Sequence, residues 1–342
     1  MTNVFAAVLS VVPGSEGAGA EEMPSVLAVP IDELIIGIIA FLIVFGVLAK
    51  LAEVDAARAT AAAQGAAVFT DAHALISSPL VDAVVIASPD ATHAGYALAC
   101  LAAGKPVLCE KPIAATAAEG LAIVQAEAAL GRRLVTVGFM RRFDPAYAEM
   151  QAARTAGGIG DAVLLHNIHR NLSAPEWFTG AMAVTNSFVH EIDISRWLLG
   201  AEMVSAQVAA APGGDPMMVT MQADSGAIIS TEVHMNAAYG YHVHAQLVGR
   251  LGTVEMAAPT RVLTNLSNAQ SFGFPSNWVP RFTEAYRLQM QAWVDATVAG
   301  HSVGASAWDG YVTTSIAEQI VEGMATGGQV ALSFPARPAL YD

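Results

Sequence analysis

Four short segments carry side chains able to do chemistry. Glu110-Lys111-Pro112 follows an apolar run, Lys105-Pro106-Val107-Leu108-Cys109, that reads as a buried parallel strand. A lysine at the carboxyl end of such a strand sits where ligands bind, and can hold a substrate hydroxyl and shift its acidity. It is equally an ordinary solvated loop lysine. Gly138-Phe139-Met140-Arg141-Arg142-Phe143-Asp144 follows the next strand end. Adjacent arginines there either clamp an oxygen-rich substrate or pair with acids. His169-Arg170-Asn171 closes a strand further on, and Asn186 precedes His190 by four residues in a helical stretch. Four residues apart on a helix are neighbours. A histidine takes a hydroxyl proton near neutral pH when a partner orients its second ring nitrogen. The plain alternative is a hydrogen-bonded core histidine. His190-Glu191 does not begin a zinc motif, because Ile194 stands where the second histidine is needed. His242 and His244 alternate on one strand without further ligand spacing, so no metal is expected.

The elements that must position these groups fall into two grammars. Val81 to Ala87, Lys105 to Cys109 and Leu134 to Gly138 are strand-like. Between them lie helical stretches, His93 to Ala103 closed by Gly104 and Ala114 to Leu130 closed by Gly131. Strands alternating with helices of 10–15 residues argue for a parallel, doubly wound sheet. Beyond Gly160 strands dominate: Ala162 to Asn167, Val204 to Ala209, Met217 to Gln222, Ala227 to Val233 and His242 to Val248. Several alternate apolar and polar residues, as an antiparallel sheet with one wet face requires. Helical patterns at Arg281 to Val298 and Trp308 to Met324 complete an α+β domain.

Composition narrows the classes. The chain has 342 residues, 16 basic against 30 acidic, for a net charge of −14. Nothing in that balance neutralises phosphates, so no nucleic-acid partner is expected. Cys100 and Cys109 are the only cysteines, which excludes a disulfide scaffold and a four-cysteine zinc site and fits a reducing compartment. Charged residues make up 13% of the chain, against about 25% usually.

In order and spacing, the segments together resemble the Gfo/Idh/MocA oxidoreductases, and within them the inositol 2-dehydrogenases. The shared stretches are Ala87-Ser88-Pro89 with His93, Gly104-Lys105-Pro106-Val107 through Glu110-Lys111-Pro112, and Val137-Gly138-Phe139-Met140-Arg141-Arg142. His169-Arg170-Asn171, Phe188 to Asp193 and Trp197-Leu198-Leu199 follow, then Tyr239-Gly240-Tyr241, Gln291 to Asp295 and Ala307 to Tyr311. The likeness covers about residues 52–342. It implies oxidation of a ring hydroxyl of a polyol such as myo-inositol, with hydride passed to NAD+. By the same resemblance Lys111 touches the reacting hydroxyl and His190 takes its proton. Arg141, His169 and Asn171 match positions that bind inositol hydroxyls, with Tyr239 or Tyr241 as a further contact. Ser88, Pro89, His93, Glu110 and Lys111 fall on the cofactor side. Glu53 falls where an acid grips the adenosine ribose, which favours NAD over NADP. The family usually has Asp where Asn186 stands. Asn186 can orient His190 but brings no charge to stabilise an imidazolium, so weaker proton abstraction is expected. A homo-oligomer is expected.

The first fifty residues read differently. Gly17-Ala18-Gly19-Ala20-Glu21-Glu22 has two glycines of a Gly-x-Gly-x-x-Gly turn, but Glu22 occupies the third position. The phosphate cradle and the strand before it therefore read as missing, and NAD binding as weakened. Leu34 to Ala49 runs without a charge between Asp32-Glu33 and Lys50. With Ile31 it just reaches the length of a membrane span, although a buried core helix has the same length. Acids before it and Lys50 and Arg58 after it would leave the body cytoplasmic and tethered. Residues from about 21 to 51 look like the membrane anchor of an ATP synthase b subunit, but the long charged stalk helix of that family does not follow. The expected plan is a leader over 1–30, an apolar helix over 31–51, a truncated Rossmann-like domain over 52–140 and a substrate and oligomerisation domain over 141–342. Its parts would come from a gene fusion or an assembly error. A membrane-tethered, non-catalytic binding protein is the rival reading, with an ATP synthase component behind it.

Overall fold

The computed structural model describes residues 4–9, 25–30, 67–69, 71–257, 262–324 and 327–342. They divide into two compact units. One takes Met1–Phe139, Tyr286–Thr314 and Ala336–Asp342; the other takes Met140–Ala285 and Ser315–Pro335.

The first unit is built on a six-stranded sheet. Its strands are β1 (Val4–Leu9), β2 (Ser25–Pro30), β3 (Ala67–Phe69), β4 (Ala83–Ile86), β5 (Val107–Cys109) and β6 (Val135–Val137), in the order β3-β2-β1-β4-β5-β6. β1, β4, β5 and β6 run parallel. This corrects the expectation of a truncated sheet: Val4–Leu9 fills the central position. Val4-Phe5-Ala6-Ala7-Val8-Leu9 is a continuous apolar run, which is the composition a strand covered on both faces demands. The missing third glycine bears on the turn after a strand, not on whether the strand forms. β2 pairs antiparallel with both β1 and β3, so one side of the sheet is mixed. Residues 31–51, the expected apolar helix, lie outside the described residues. Among the described residues no helix is long and apolar enough to cross a membrane.

The helices of this unit form where local signals place them. α1 (Ala72–Ser77) is capped by Asp71, whose side chain accepts from the Ala74 N–H. α2 (Asp90–Ala102) follows Pro89 directly and is closed near Gly104, which has φ +67°. α3 (Ala117–Leu130) opens on a capping box between Thr116 and Glu119 and ends at left-handed Gly131. Each such cap satisfies backbone groups that the helix cannot satisfy itself.

The second unit contains α4 (Pro145–Thr155), β7 (Ala162–Arg170), α5 (Val189–Leu199), β8 (Met203–Ala210), β9 (Met217–Ala223), β10 (Ile228–His234), β11 (His242–Gly249) and β12 (Thr253–Glu255). A small hairpin of β13 (Thr264–Leu266) and β14 (Ala269–Ser271) follows, and later β15 (Val330–Ala331). The sheet order is β12-β11-β7-β10-β9-β8-β15, and only β7 with β10 pair parallel. Burial alternates strictly along β9, giving one covered and one open face. α5 has ten of eleven residues buried, so its polar side chains need partners inside the protein. One is Ser195, whose hydroxyl accepts from Asn167 of β7 at 3.2 Å. Two long helices, α6 (Val279–Val298) and α7 (Ala307–Met324), run through both parts of the chain division.

Candidate active site

In the first unit the candidate residues stand at the carboxyl ends of adjacent parallel strands. β4 gives way to Ser88-Pro89 and then to α2; β5 gives way to Glu110-Lys111-Pro112, with a cis peptide at Pro112. The Glu110 N–H donates to the Ile86 carbonyl at 2.8 Å, which ties the two strand ends together. His93 is buried on α2. Its Nδ1 lies 2.7 Å from the Pro112 carbonyl and its Nε2 2.8 Å from the Ser88 carbonyl. The ring thus sits between the two loops, and its one N–H in the neutral form donates to one of the two carbonyls.

Glu110 packs against Gly138, where an added Cβ would come within 2.8 Å of the Glu110 carboxylate. Only glycine allows that approach. Burial pushes the Glu110 carboxyl up to about 7, and the neighbouring Lys111 ammonium offsets part of the rise. A carboxyl raised toward neutrality beside an amine, at the ligand end of a parallel sheet, is a candidate functional position. These strand ends are the place where a doubly wound sheet takes a dinucleotide. The segment from Gly17 to Glu22 and the residue Glu53 lie outside the described residues.

In the second unit a buried cluster forms around Glu191 of α5. The turn Met140–Phe143 carries Arg141 into the interior, where it is ion-paired and hydrogen-bonded to Glu191. The other Glu191 oxygen lies 2.9 Å from Nδ1 of His169 on β7. Arg141 also lies 5.5 Å from the Phe282 ring centre. The Tyr241 ring packs edge-on to His169 at 6.0 Å and to Phe282 at 6.2 Å. Burial alone would raise the Glu191 carboxyl, but Arg141 and His169 outweigh it and hold the group below the usual carboxylate range. Burial pushes the Tyr241 and Tyr147 phenols up, Tyr147 to about 12. Asn171 is half-buried, and its Oδ1 has no hydrogen-bond partner among the described residues.

The structure sorts the sequence candidates. Arg141 and His169 converge on one carboxylate, and Tyr241 packs edge-on to His169. Tyr239 does not join them: it is 44% exposed, accepts from Arg170 at 2.9 Å and lies 2.7 Å from His242. Arg142 is engaged by Asp193 through two contacts of 3.0 and 2.6 Å. His190 is 8% exposed on α5, whereas Asn186 lies in a π-helical turn, Ala183–Phe188. The expected single α-helix carrying both is therefore corrected. A π-turn bonds residues five apart, so four-residue spacing no longer stacks side chains as it does in an α-helix. Sequence reasoning missed Glu191 as the hub. Its signal was a second acid, with Asp193, in a stretch otherwise rich in large apolar residues.

Comparison with known proteins accounts for both halves. Residues 19–139 match the oxidoreductase family model of the NAD-binding Rossmann fold, and residues 147–255 match the GFO/IDH/MocA C-terminal domain. The first match runs through residues 31–51, so the apolar stretch lies inside the family domain and the reading of a foreign anchor is not supported. A buried segment of an α/β domain has the same apolar composition. The chain is 48% identical over 294 residues to inositol 2-dehydrogenase 1 of Saccharopolyspora erythraea, covering 83% of this chain and 87% of that one. It is 40% identical over 284 residues to an inositol 2-dehydrogenase of Pseudomonas fluorescens, covering 81% and 84%. Among solved structures it is similar to myo-inositol dehydrogenase from Lactobacillus casei in complex with NAD(H) and myo-inositol. There the TM-score is 0.81 and the identity 28%, with 84% of this chain and 89% of that chain covered. With a family match over each half and relatives along most of its length, the chain belongs to the Gfo/Idh/MocA oxidoreductases.

Proposed function

We propose that this protein is an inositol 2-dehydrogenase: it oxidises one ring hydroxyl of a myo-inositol-like polyol and uses NAD in preference to NADP. The observation that carries this reading is the convergence of Arg141 and His169 on buried Glu191, with the Tyr241 ring packed against His169. A polyol needs many fixed donors and acceptors, and this cluster, with the buried Asn171 carbonyl, supplies them. Lys111 holds the reacting hydroxyl and makes it more acidic. His190 takes the hydroxyl proton, and Asn186 in the preceding π-turn adds no charge to the site. Arg141, His169, Asn171 and Tyr241 bind the remaining hydroxyls; exposed Tyr239 contributes at most at the rim.

Ser88, Pro89, Glu110 and Lys111 would hold NAD+, with Glu53 toward the ribose and His93 bracing the loops. When bound, NAD+ supplies the two-electron acceptor. The balance is simple: the C–H bond breaks with its electron pair leaving as hydride, the proton goes to His190, and the carbon becomes a ketone. The chain is further read as a homo-oligomer, because β8, β9 and β10 expose Val204, Met218 and Ile228 at 42%, 41% and 47%. The test is NADH formation from NAD+ and myo-inositol by purified protein, run beside NADP+. No reduction with either cofactor would overturn the reading.

A further inference from the structure

Glu191 touches two of the residues assigned to substrate, and its own charge restricts what each can do. A carboxylate only accepts hydrogen bonds, and an arginine only donates them. Glu191 is 0% exposed and its two oxygens are divided: Oε1 takes Arg141 Nη1 and Oε2 faces Nδ1 of His169 at 2.9 Å. Arg141 Nη2 also approaches His169 Nδ1, at 3.4 Å. These two neighbours make opposite demands, since the guanidinium asks for a lone pair on Nδ1 and the carboxylate asks for a proton. The shorter contact decides. A bare Nδ1 at 2.9 Å from a carboxylate would set lone pair against lone pair in a buried site, whereas 3.4 Å is long for a hydrogen bond.

Resting on the proposed polyol site, we propose that Glu191 is a positioning residue that holds His169 with its proton on Nδ1. Nε2 then carries the lone pair. Among the described residues no hydrogen bond engages His169 Nε2, so that nitrogen stands as a fixed acceptor for a substrate hydroxyl. Arg141, pinned by the same carboxylate, stands beside it as a donor. One buried charge therefore sets an acceptor and a donor side by side, which suits two neighbouring hydroxyls, one giving and one receiving a hydrogen bond.

Glu191→Gln tests this because the amide has only one accepting end. Arg141 claims that oxygen, which turns the amide NH2 toward His169 Nδ1 and drives the ring proton to Nε2. The tautomer is read by nitrogen NMR of histidine-labelled protein, with the His169 signal assigned by its loss in His169→Gln. The expected result is an Nδ1-protonated ring in the unmodified protein and an Nε2-protonated ring in Glu191→Gln. In Glu191→Gln the KM for the polyol should rise about tenfold or more while the NAD+ dissociation constant changes less than about twofold, tenfold being about 1.4 kcal/mol. A wild-type ring protonated on Nε2, or on both nitrogens, overturns the proposal, and that measurement needs no variant to fold. An unchanged tautomer with unchanged polyol KM in the variant overturns it as well. If the unmodified protein does not reduce NAD+ with myo-inositol, the function falls while the tautomer result stands separately.

Discussion

The Nδ1 atom of His93 lies 2.7 Å from the carbonyl oxygen of Pro112, so a helix of the nucleotide-binding unit holds the loop that carries Lys111. The opposite ring nitrogen reaches the Ser88 carbonyl at 2.8 Å. One side chain thus bridges the loops after two neighbouring parallel strands.

Replacing His93 with Leu keeps the apolar volume and removes the ring that lies between the two carbonyls. A buried acceptor left without its donor costs about 1–3 kcal/mol. The expected result is a clear loss of thermal stability and roughly a tenfold fall in kcat/KM for NAD+, measured with NAD+ varied at saturating polyol. His93→Gln should recover part of both. Unaltered NAD+ kinetics in His93→Leu would show that the loops keep their shape unaided.

Removing the proposed base or the lysine should cost far more in rate than in stability. General acid–base groups contribute typically 10²–10⁴-fold. His190→Ala and Lys111→Met are expected to lower kcat by about that range, followed as NADH absorbance. A loss of less than about fivefold for either would remove that residue from the mechanism.

The Glu110 carboxyl, raised from an ordinary 4.5 to about 7, makes stability depend on pH. The folded state favours the protonated form, so its full stability is present below about pH 4.5 and declines as pH rises through about 7. Glu110→Gln carries no such proton. Its stability advantage over the parent should therefore grow from about pH 5 to about pH 8, compared as urea midpoints. A constant difference would mean that Glu110 ionises normally in the folded protein.

Cys100 and Cys109 are both buried, and burial pushes the Cys100 thiol up to about 12 and the Cys109 thiol well above its usual range. Since the thiolate is the reactive form, an aromatic disulfide reagent should leave the native protein unlabelled and modify two thiols per chain in denaturant. Rapid labelling of the native protein would show that α2 or β5 opens.

The chain's last residues lock onto α3. Buried Glu127 accepts from the Leu134 and Val135 N–H groups at 2.5 and 2.6 Å and from the Tyr341 hydroxyl at 2.6 Å. Tyr341→Phe removes one donor from this carboxylate, and a loss of about 1–3 kcal/mol in urea unfolding is expected. No change would mean that water replaces the hydroxyl.

Much of this architecture was legible before any coordinates. The apolar runs ending at Ile86, Cys109 and Val137, and the glycines that close α2 and α3, are local signals read within a few residues. The order of motifs from Ser88 to Tyr311 likewise placed Lys111, Arg141, His169 and His190 as candidates, because such segments are defined by their own residues. The opening of the chain was misread for a related reason. A missing glycine and an all-apolar stretch are local facts, while the place of Val4–Leu9 at the sheet centre is a pairing with residues nearly eighty positions away.

Residue types, spacing and periodicity determined that this is a two-part α/β chain, and the order of its motifs carried the resemblance to the Gfo/Idh/MocA oxidoreductases. Tertiary structure alone decided which of those side chains share a partner. Glu191 meets Arg141 across 50 residues and His169 across 22, and Tyr239 is left outside although it stands two residues from Tyr241. The physical reason is that a buried carboxylate must find its donors wherever the fold brings them. Ala238 at φ +64° and Gly240 at φ +143° break the extended backbone around Tyr239, so closeness in sequence says little about which tyrosine reaches the hub.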